Sequence, residues 1–156
     1  MTQPIRNQRY LIGALVAATL VILGLAGCSA VMTMVHGGAE KPAESEFGLG
    51  PRSSAQGLYT ATLQPEETLR PRKLQTIHVE LKDANGQAVD AAAITIDGGM
   101  PQHGHGLPTR PRVTKGLGNG VYVIEGVRFN MGGWWEFKLA IEGNAGADSV
   151  TFNLAL

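Results

Sequence analysis

Two histidines and two methionines are the residues of this chain whose types and spacing best suit chemistry. His103 and His105 stand two apart in the segment 98–111, and in an extended segment this spacing puts both imidazoles on the same side. Met100 stands three residues before His103, and Met131 lies in a second glycine-containing corner. Thioether sulfur and imidazole nitrogen suit Cu(I), whereas imidazole alone also suits Cu(II) or zinc. The sequence therefore predicts a soft-metal site made of Met100, His103, His105 and Met131.

A structural interpretation of the same residues is equally open. Met100 and Met131 would then fill one end of a hydrophobic core, since methionine adapts to irregular gaps. The two histidines would bond to carbonyl groups of a tight loop or face solvent. The segment 98–111 contains three prolines and four glycines, so under either interpretation its shape is specified by its sequence.

The elements that must position these residues are strands. From residue 57 onward apolar and polar residues alternate, as at Ile77, Val79 and Leu81, and no segment shows a helical period. Further alternating rows are expected to face inward; they are Trp135, Phe137, Leu139 and Ile141, and then Val150, Phe152, Leu154 and Leu156. Turn signals between these runs give about seven strands in roughly 100 residues, which is the spacing of a β-sandwich.

The adjacent tryptophans Trp134 and Trp135 point to opposite faces of their strand. We expect Trp135 in the core. Trp134 shares the polar face with Glu136 and Lys138, where it is either covered by the preceding loop or exposed as a contact anchor for a partner protein.

The first 28 residues have the layout of a secretory signal. Arg6 and Arg9 precede the uncharged apolar run 11–27, and Leu25-Ala26-Gly27-Cys28 resembles the bacterial lipobox, in which the cysteine carries lipid. The alternative is an uncleaved single-pass anchor formed by 11–27, because 17 apolar residues just span a bilayer. Both place the remainder on the extracytoplasmic side of the cell envelope. The expected organisation is a signal or anchor over 1–28, a flexible linker over 29–56 and a domain over 57–156.

Composition excludes several classes of function. The chain has 13 basic and 13 acidic residues, which argues against nucleic-acid binding because that needs a basic face. Signal cleavage would leave 11 basic and 13 acidic residues, a balance that predicts no steering toward anionic lipid. The only cysteine is Cys28, and no serine stands in a Gly-x-Ser-x-Gly elbow, so we expect no catalytic activity.

Two motifs resemble the YtkA-like domain family, relatives of the FixH-type proteins. They are the stretch 99–109, with Met-Pro-Gln-His-Gly-His-Gly, and the stretch 118–136, with Met-Gly-Gly-Trp. The resemblance implies an immunoglobulin-like β-sandwich over about 57–156, carried on extracytoplasmic lipoproteins or membrane-anchored proteins. It also implies copper handling or oxidase assembly. Gly132 departs from the family pattern, in which many members have proline, and should loosen that corner. The favoured hypothesis is a membrane-tethered copper-handling module; the alternative is an envelope protein-interaction module that docks a partner through the 99–111 loop and Trp134.

Overall fold

Two antiparallel β-sheets packed face to face make up the part of the chain that the computed structural model describes, residues 39–156. A single 3-10 turn, Glu44–Glu46, precedes the strands. The strands are β1 (Arg52–Ser53), β2 (Tyr59–Pro65), β3 (Gln75–Asp83), β4 (Ala93–Met100), β5 (His105–Gly106), β6 (Arg112–Gly118), β7 (Val121–Val127), β8 (Trp134–Gly143) and β9 (Gly146–Ala155).

The strand order is that of a constant-type immunoglobulin domain. One sheet has the order β1-β2-β3-β7-β6 and the other has the order β5-β4-β8-β9. Without the two-residue strands β1 and β5, four strands face three in the immunoglobulin connectivity. The predicted sandwich of about seven strands is confirmed, and the two additional strands are too short to produce a recognisable alternation.

The core lies between the sheets, on the rows that the alternation predicts. Ile77, Val79 and Leu81 on β3 are fully buried. On β8 the buried row includes Trp135, whose ring meets that of Phe129 edge-on with centroids 5.2 Å apart. Edge-to-face aromatic contacts of this kind add to the stabilisation that comes from area burial alone.

The linker expected over 29–56 ends earlier than the sequence indicates. Phe47 forms a parallel bridge with Asn153 of β9, and β1 pairs with β2. The backbone amide of Ala55 donates to the carbonyl of Ser149 at 2.9 Å. The segment attaches through backbone hydrogen bonds to strands at the sheet edges, which need no apolar side chains, so its Gly-, Pro- and Ser-rich composition resembles that of a free linker.

One end of the sandwich, called here the histidine end, brings together three connections, two of which carry candidate site residues. They are the β2–β3 loop (66–74), the β4–β5 turn (101–104) and the β7–β8 corner (128–133). The backbone amide of Arg72 donates to the carbonyl of Phe129 at 2.7 Å and joins the first of these loops to the third. Across residues 39–156 we find no helix with the length and apolar character needed to cross a membrane.

Candidate functional site

The β4–β5 turn presents both candidate histidines on a fixed backbone. The carbonyl of Met100 accepts hydrogen bonds from the amides of His103 and Gly104, at 3.0 and 2.9 Å. Gly104 has φ of +64°, a conformation that glycine adopts without strain. A Cβ on Gly99 would lie 2.6 Å from the carbonyl oxygen of His105, so the two sides of the turn approach closely only because residue 99 is glycine.

His103 and His105 are exposed, and their rings lie near one another on this turn. The ring centroids are 6.2 Å apart and the ring planes differ by 13°. The arrangement is stacked, so the two imidazoles are close neighbours. Rotation about the side-chain bonds of two exposed histidines this close can bring a nitrogen of each ring to one ion, about 2 Å from each nitrogen. That His103 and His105 ligate a metal stays a prediction.

Met100 lies in the hydrophobic core instead of beside the histidines. Its side chain is 2% exposed, and its Cε occupies the space next to Gly133, where an added Cβ would lie 2.9 Å away. Because Met100 continues the inward row of β4, its thioether fills the end of the core. This placement does not support the prediction that Met100 is a metal ligand. It agrees with the alternative interpretation, in which Met100 fills the end of the core.

Met131 stands at the same end in a different environment. It is 42% exposed, and its carbonyl accepts a hydrogen bond from Trp135 Nε1 at 3.0 Å, which fixes the backbone of the corner. Its corner is joined to the histidine turn through the contact between Met100 and Gly133. Met131 is therefore the candidate thioether with an accessible sulfur.

Charged side chains near the turn are already engaged with other groups. A shallow depression of about 400 Å³ beside His105 is bordered by Asp97, Glu136 and Lys138. The Glu136 carboxylate pairs with Lys138 at 2.7 Å, and Asp97 accepts the amide of Gly98 at 2.7 Å. Within residues 39–156, no three side chains among His, Cys, Asp and Glu are grouped so that they would hold a metal ion. The turn thus presents two exposed imidazoles without a third such side chain grouped beside them in the described part of the chain.

Trp134 is buried, contrary to its interpretation as an exposed contact anchor. It is 7% exposed, and its Nε1 donates to Oδ1 of Asn153 at 3.0 Å. Asn153 also forms a parallel backbone bridge with Phe47, and its carbonyl accepts a hydrogen bond from the amide of Gly48 at 3.0 Å, so a segment distant in sequence pairs with β9 there. The docking hypothesis loses its aromatic anchor, and only the exposed turn of the 99–111 loop remains for it.

The neighbours of the turn on β8 were not found by sequence reasoning. Glu136 belongs to the predicted polar face, but its place beside the turn depends on the register in which it pairs with Gly99. The signal was the pair Gly98–Gly99, because a Cβ on Gly98 would lie 2.6 Å from the carbonyl oxygen of Glu136. The predicted lipidation site Cys28 and the apolar run 11–27 lie outside the described residues.

The fold and the turn together define an immunoglobulin-like β-sandwich that presents two exposed histidines at one end. A family model described as YtkA-like matches residues 53–140, more than half of the chain, and the chain belongs to this family. Among solved structures, the ZirS C-terminal domain is similar with 15% sequence identity and a TM-score of 0.38, over 100% of this chain and 94% of that one. No curated protein matches the chain.

Proposed function

We propose that this protein is a membrane-tethered copper-handling module on the extracytoplasmic side of the cell envelope, and that it acts by binding and passing an ion. The observation that carries the proposal is the exposed histidine pair, whose ring centroids lie 6.2 Å apart on a turn of fixed shape. Neutral imidazole is a good ligand for copper in either oxidation state. His103 and His105 would hold the ion, and Met131 would supply a thioether that favours Cu(I).

The exposure of the two proposed histidine ligands favours transfer of the copper ion to a partner over its permanent storage. The two histidine side chains are exposed, and the depression beside them is shallow, so a partner can approach an ion bound there. A site built from the ligands of one turn leaves coordination positions open to ligands of a partner protein. This arrangement suits a module that delivers copper, for example to an oxidase during assembly.

The tether rests on the N-terminal sequence. Arg6 and Arg9 followed by an uncharged run and Cys28 support a lipoprotein signal, and the run 11–27 would serve as an anchor if it is not cleaved. Membership of the YtkA-like family agrees with an extracytoplasmic location. Mass spectrometry of the purified full chain tests this part: a protein that begins at a diacylated Cys28 supports lipidation, and an unmodified N-terminus supports the anchor.

Copper titration of the full chain in detergent tests the metal site. We would compete Cu(I) against a chromophoric chelator under reducing conditions, with the wild type and the variant His103→Gln/His105→Gln. His78→Gln is the matched control, since His78 lies on β3 and its Nε2 contacts Glu66 at 3.2 Å. A parallel series carries Cys28→Ala, because a free thiolate would bind Cu(I) by itself.

The proposal expects one copper ion per chain in the wild type and in the His78 variant, and loss of that ion in the double variant. The Cys28→Ala series should give the same result. Binding that survives the double variant, or that disappears with Cys28, would remove the histidine turn as the copper site. The turn would then stand as a structural or docking element, and envelope partners would become the object of study.

A further inference from the structure

Charge is distributed unequally between the two ends of the sandwich. The histidine end carries four exposed arginines, and none of them forms an ion pair within residues 39–156. Arg70 and Arg72 lie on the β2–β3 loop, Arg128 lies on the β7–β8 corner, and Arg110 lies on the connection between β5 and β6 at the same end. Arg72 and Arg128 are brought together by the bond between the Arg72 amide and the Phe129 carbonyl. The loop bearing Arg110 is held to β7 by Thr109, whose hydroxyl donates to the Gly126 carbonyl at 2.6 Å.

Acidic side chains at this end are mostly paired. The pairs are Glu44 with Lys41, Glu66 with His78, Glu67 with Lys73 and Glu136 with Lys138, and Glu125 faces Arg112 across β6 and β7. The opposite end carries acids; they are Asp83, Asp90, Glu142 and Asp148, with Lys82 as the nearby cation. Glu46 and Asp97 also lie at the histidine end and form no ion pair within residues 39–156. The balanced net charge that predicted no steering toward anionic lipid therefore conceals an unequal distribution of charge along the sandwich.

Exposed apolar side chains accompany the arginines. Four large apolar side chains are exposed in the described part of the chain, and three of them lie at the histidine end: Leu74 at 63%, Met131 at 42% and Leu49 at 38%. A mainly apolar groove of about 490 Å³ runs beside Leu49, between Leu69 and Leu154. Arginines interspersed with exposed leucines are typical of surfaces that rest in the headgroup region of a bilayer.

The chain enters the sandwich at the histidine end. Phe47 pairs with Asn153, two residues before the end of β9 at the histidine end, and the ammonium of Lys41 lies 5.1 Å from the centre of the Phe47 ring. Twelve residues, 29–40, lie between Cys28 and Lys41. A segment of that length reaches at most about 45 Å when fully extended, so a membrane anchor at Cys28 limits how far the lipid surface can lie from the point where the chain enters the histidine end.

We infer that the histidine end docks on anionic lipid headgroups through Arg70, Arg110 and Arg128, with Leu74 at the headgroup boundary. The inference rests on the membrane tether of the proposed function. An acidic protein would meet the same charges, but the short tether makes the lipid surface the nearest anionic surface. The consequence for function is that the copper-binding turn faces the membrane, where a membrane-embedded recipient would present its own ligands.

Hydrogen exchange of the full chain in lipid nanodiscs tests this inference. Discs of phosphatidylcholine alone are compared with discs that also contain phosphatidylglycerol, and exchange is followed in 66–74 and 128–133. Residues 84–90 at the opposite end serve as the internal reference. Each arginine near an anionic surface strengthens docking by about fivefold, so exchange in 66–74 should slow severalfold in anionic discs only. Added salt should reverse the effect because it screens surface charge.

Charge-reversal variants distinguish an effect of the arginines at the histidine end from an effect of the overall net charge. Arg70→Glu/Arg128→Glu should abolish the protection, whereas Lys82→Glu/Lys115→Glu makes the same change in net charge away from this end and should retain it. Equal exchange in neutral and anionic discs would overturn the inference and point to an acidic protein partner for the arginines. Equal loss of protection in both variants would overturn it as well, because the effect would then follow the net charge of the chain. A chain that does not remain with the discs would refute the membrane tether itself, which distinguishes the two failures.

Discussion

Exchanging each methionine of the proposed site for leucine separates a core residue from a metal ligand. Met100 is 2% exposed and belongs to the hydrophobic core, whereas Met131 is 42% exposed at the adjacent corner. Leucine conserves most of the volume of methionine but removes its sulfur. The same substitution should therefore leave copper binding unchanged at Met100 and weaken it at Met131, with at most a modest change in stability at either position.

The magnitudes follow from burial. Met100→Leu should change the free energy of unfolding by less than about 1.5 kcal/mol, because volume-conserving core exchanges are tolerated. Met100→Ala should cost about 2–5 kcal/mol, since it removes buried atoms and leaves a cavity beside Gly133. For a domain of this size each kcal/mol lowers Tm by about 4 °C, so the alanine variant should melt about 8–20 °C earlier. Met131→Leu should stay within about 0.5 kcal/mol of the wild type, as is usual for exposed positions.

The assay pairs thermal unfolding of the metal-free protein with Cu(I) competition on the same samples. We expect Met100→Leu to keep the copper affinity of the wild type and Met131→Leu to weaken it without loss of stability. A Met100→Leu protein that melts normally yet binds copper more weakly would refute the claim that Met100 acts only as a core residue. An unchanged affinity in Met131→Leu would leave the histidines as the only ligands from this chain.

Three further changes test the fold around the site. Gly120→Ala should destabilise the domain by more than about 1 kcal/mol, because φ is +73° and the new Cβ would lie 2.3 Å from the carbonyl oxygen of Leu81. The control is Gly116→Ala, because a Cβ there would have no neighbouring atom within 4 Å. Equal melting temperatures of the two variants would contradict the argument. Trp134→Ala should lower the free energy of unfolding by about 3–5 kcal/mol in denaturant titrations, and a neutral result would mean that Trp134 is free to contact a partner. The pKa of Asp148 is lowered: burial of its carboxyl raises it, but hydrogen bonds from a serine hydroxyl and three backbone amides outweigh burial. Its contribution is therefore present above the ordinary pKa of about 3.9 and is lost as the pH falls through the lower native value. Asp148→Asn should be less stable than the wild type at neutral pH, with a difference that shrinks on acidification.

Local alternation was enough to predict the sandwich and most of its core. The rows on β3, β8 and β9 were read correctly because each strand has one face on the core and one toward solvent. The same alternation also predicts where Met100 lies. Ile94 and Ile96 face the core from β4, and every second residue after them, at positions 98 and 100, faces the same way, so Met100 lies in the core.

What the sequence did not predict depends on contacts between distant segments. The buried Trp134 donates a hydrogen bond to Asn153, which in turn pairs through its backbone with Phe47, and no pattern within β8 signals either contact. The arginines of the histidine end are separated along the chain, and only the fold brings the segments that carry them to the same end of the sandwich. Their clustering was hidden because net charge is a sum over the chain, whereas a membrane senses the charge nearest to its surface.

X-ray absorption at the copper edge tests the central claim most directly. The full chain would be loaded with one equivalent of Cu(I) in the Cys28→Ala background, so that the spectrum reports ligands other than that thiol. The account predicts two imidazole nitrogens at about 2.0 Å, identified by their outer-ring scattering, and their loss in His103→Gln/His105→Gln. A spectrum without imidazole scattering, or one unchanged in the double variant, would show that the histidine turn does not hold copper.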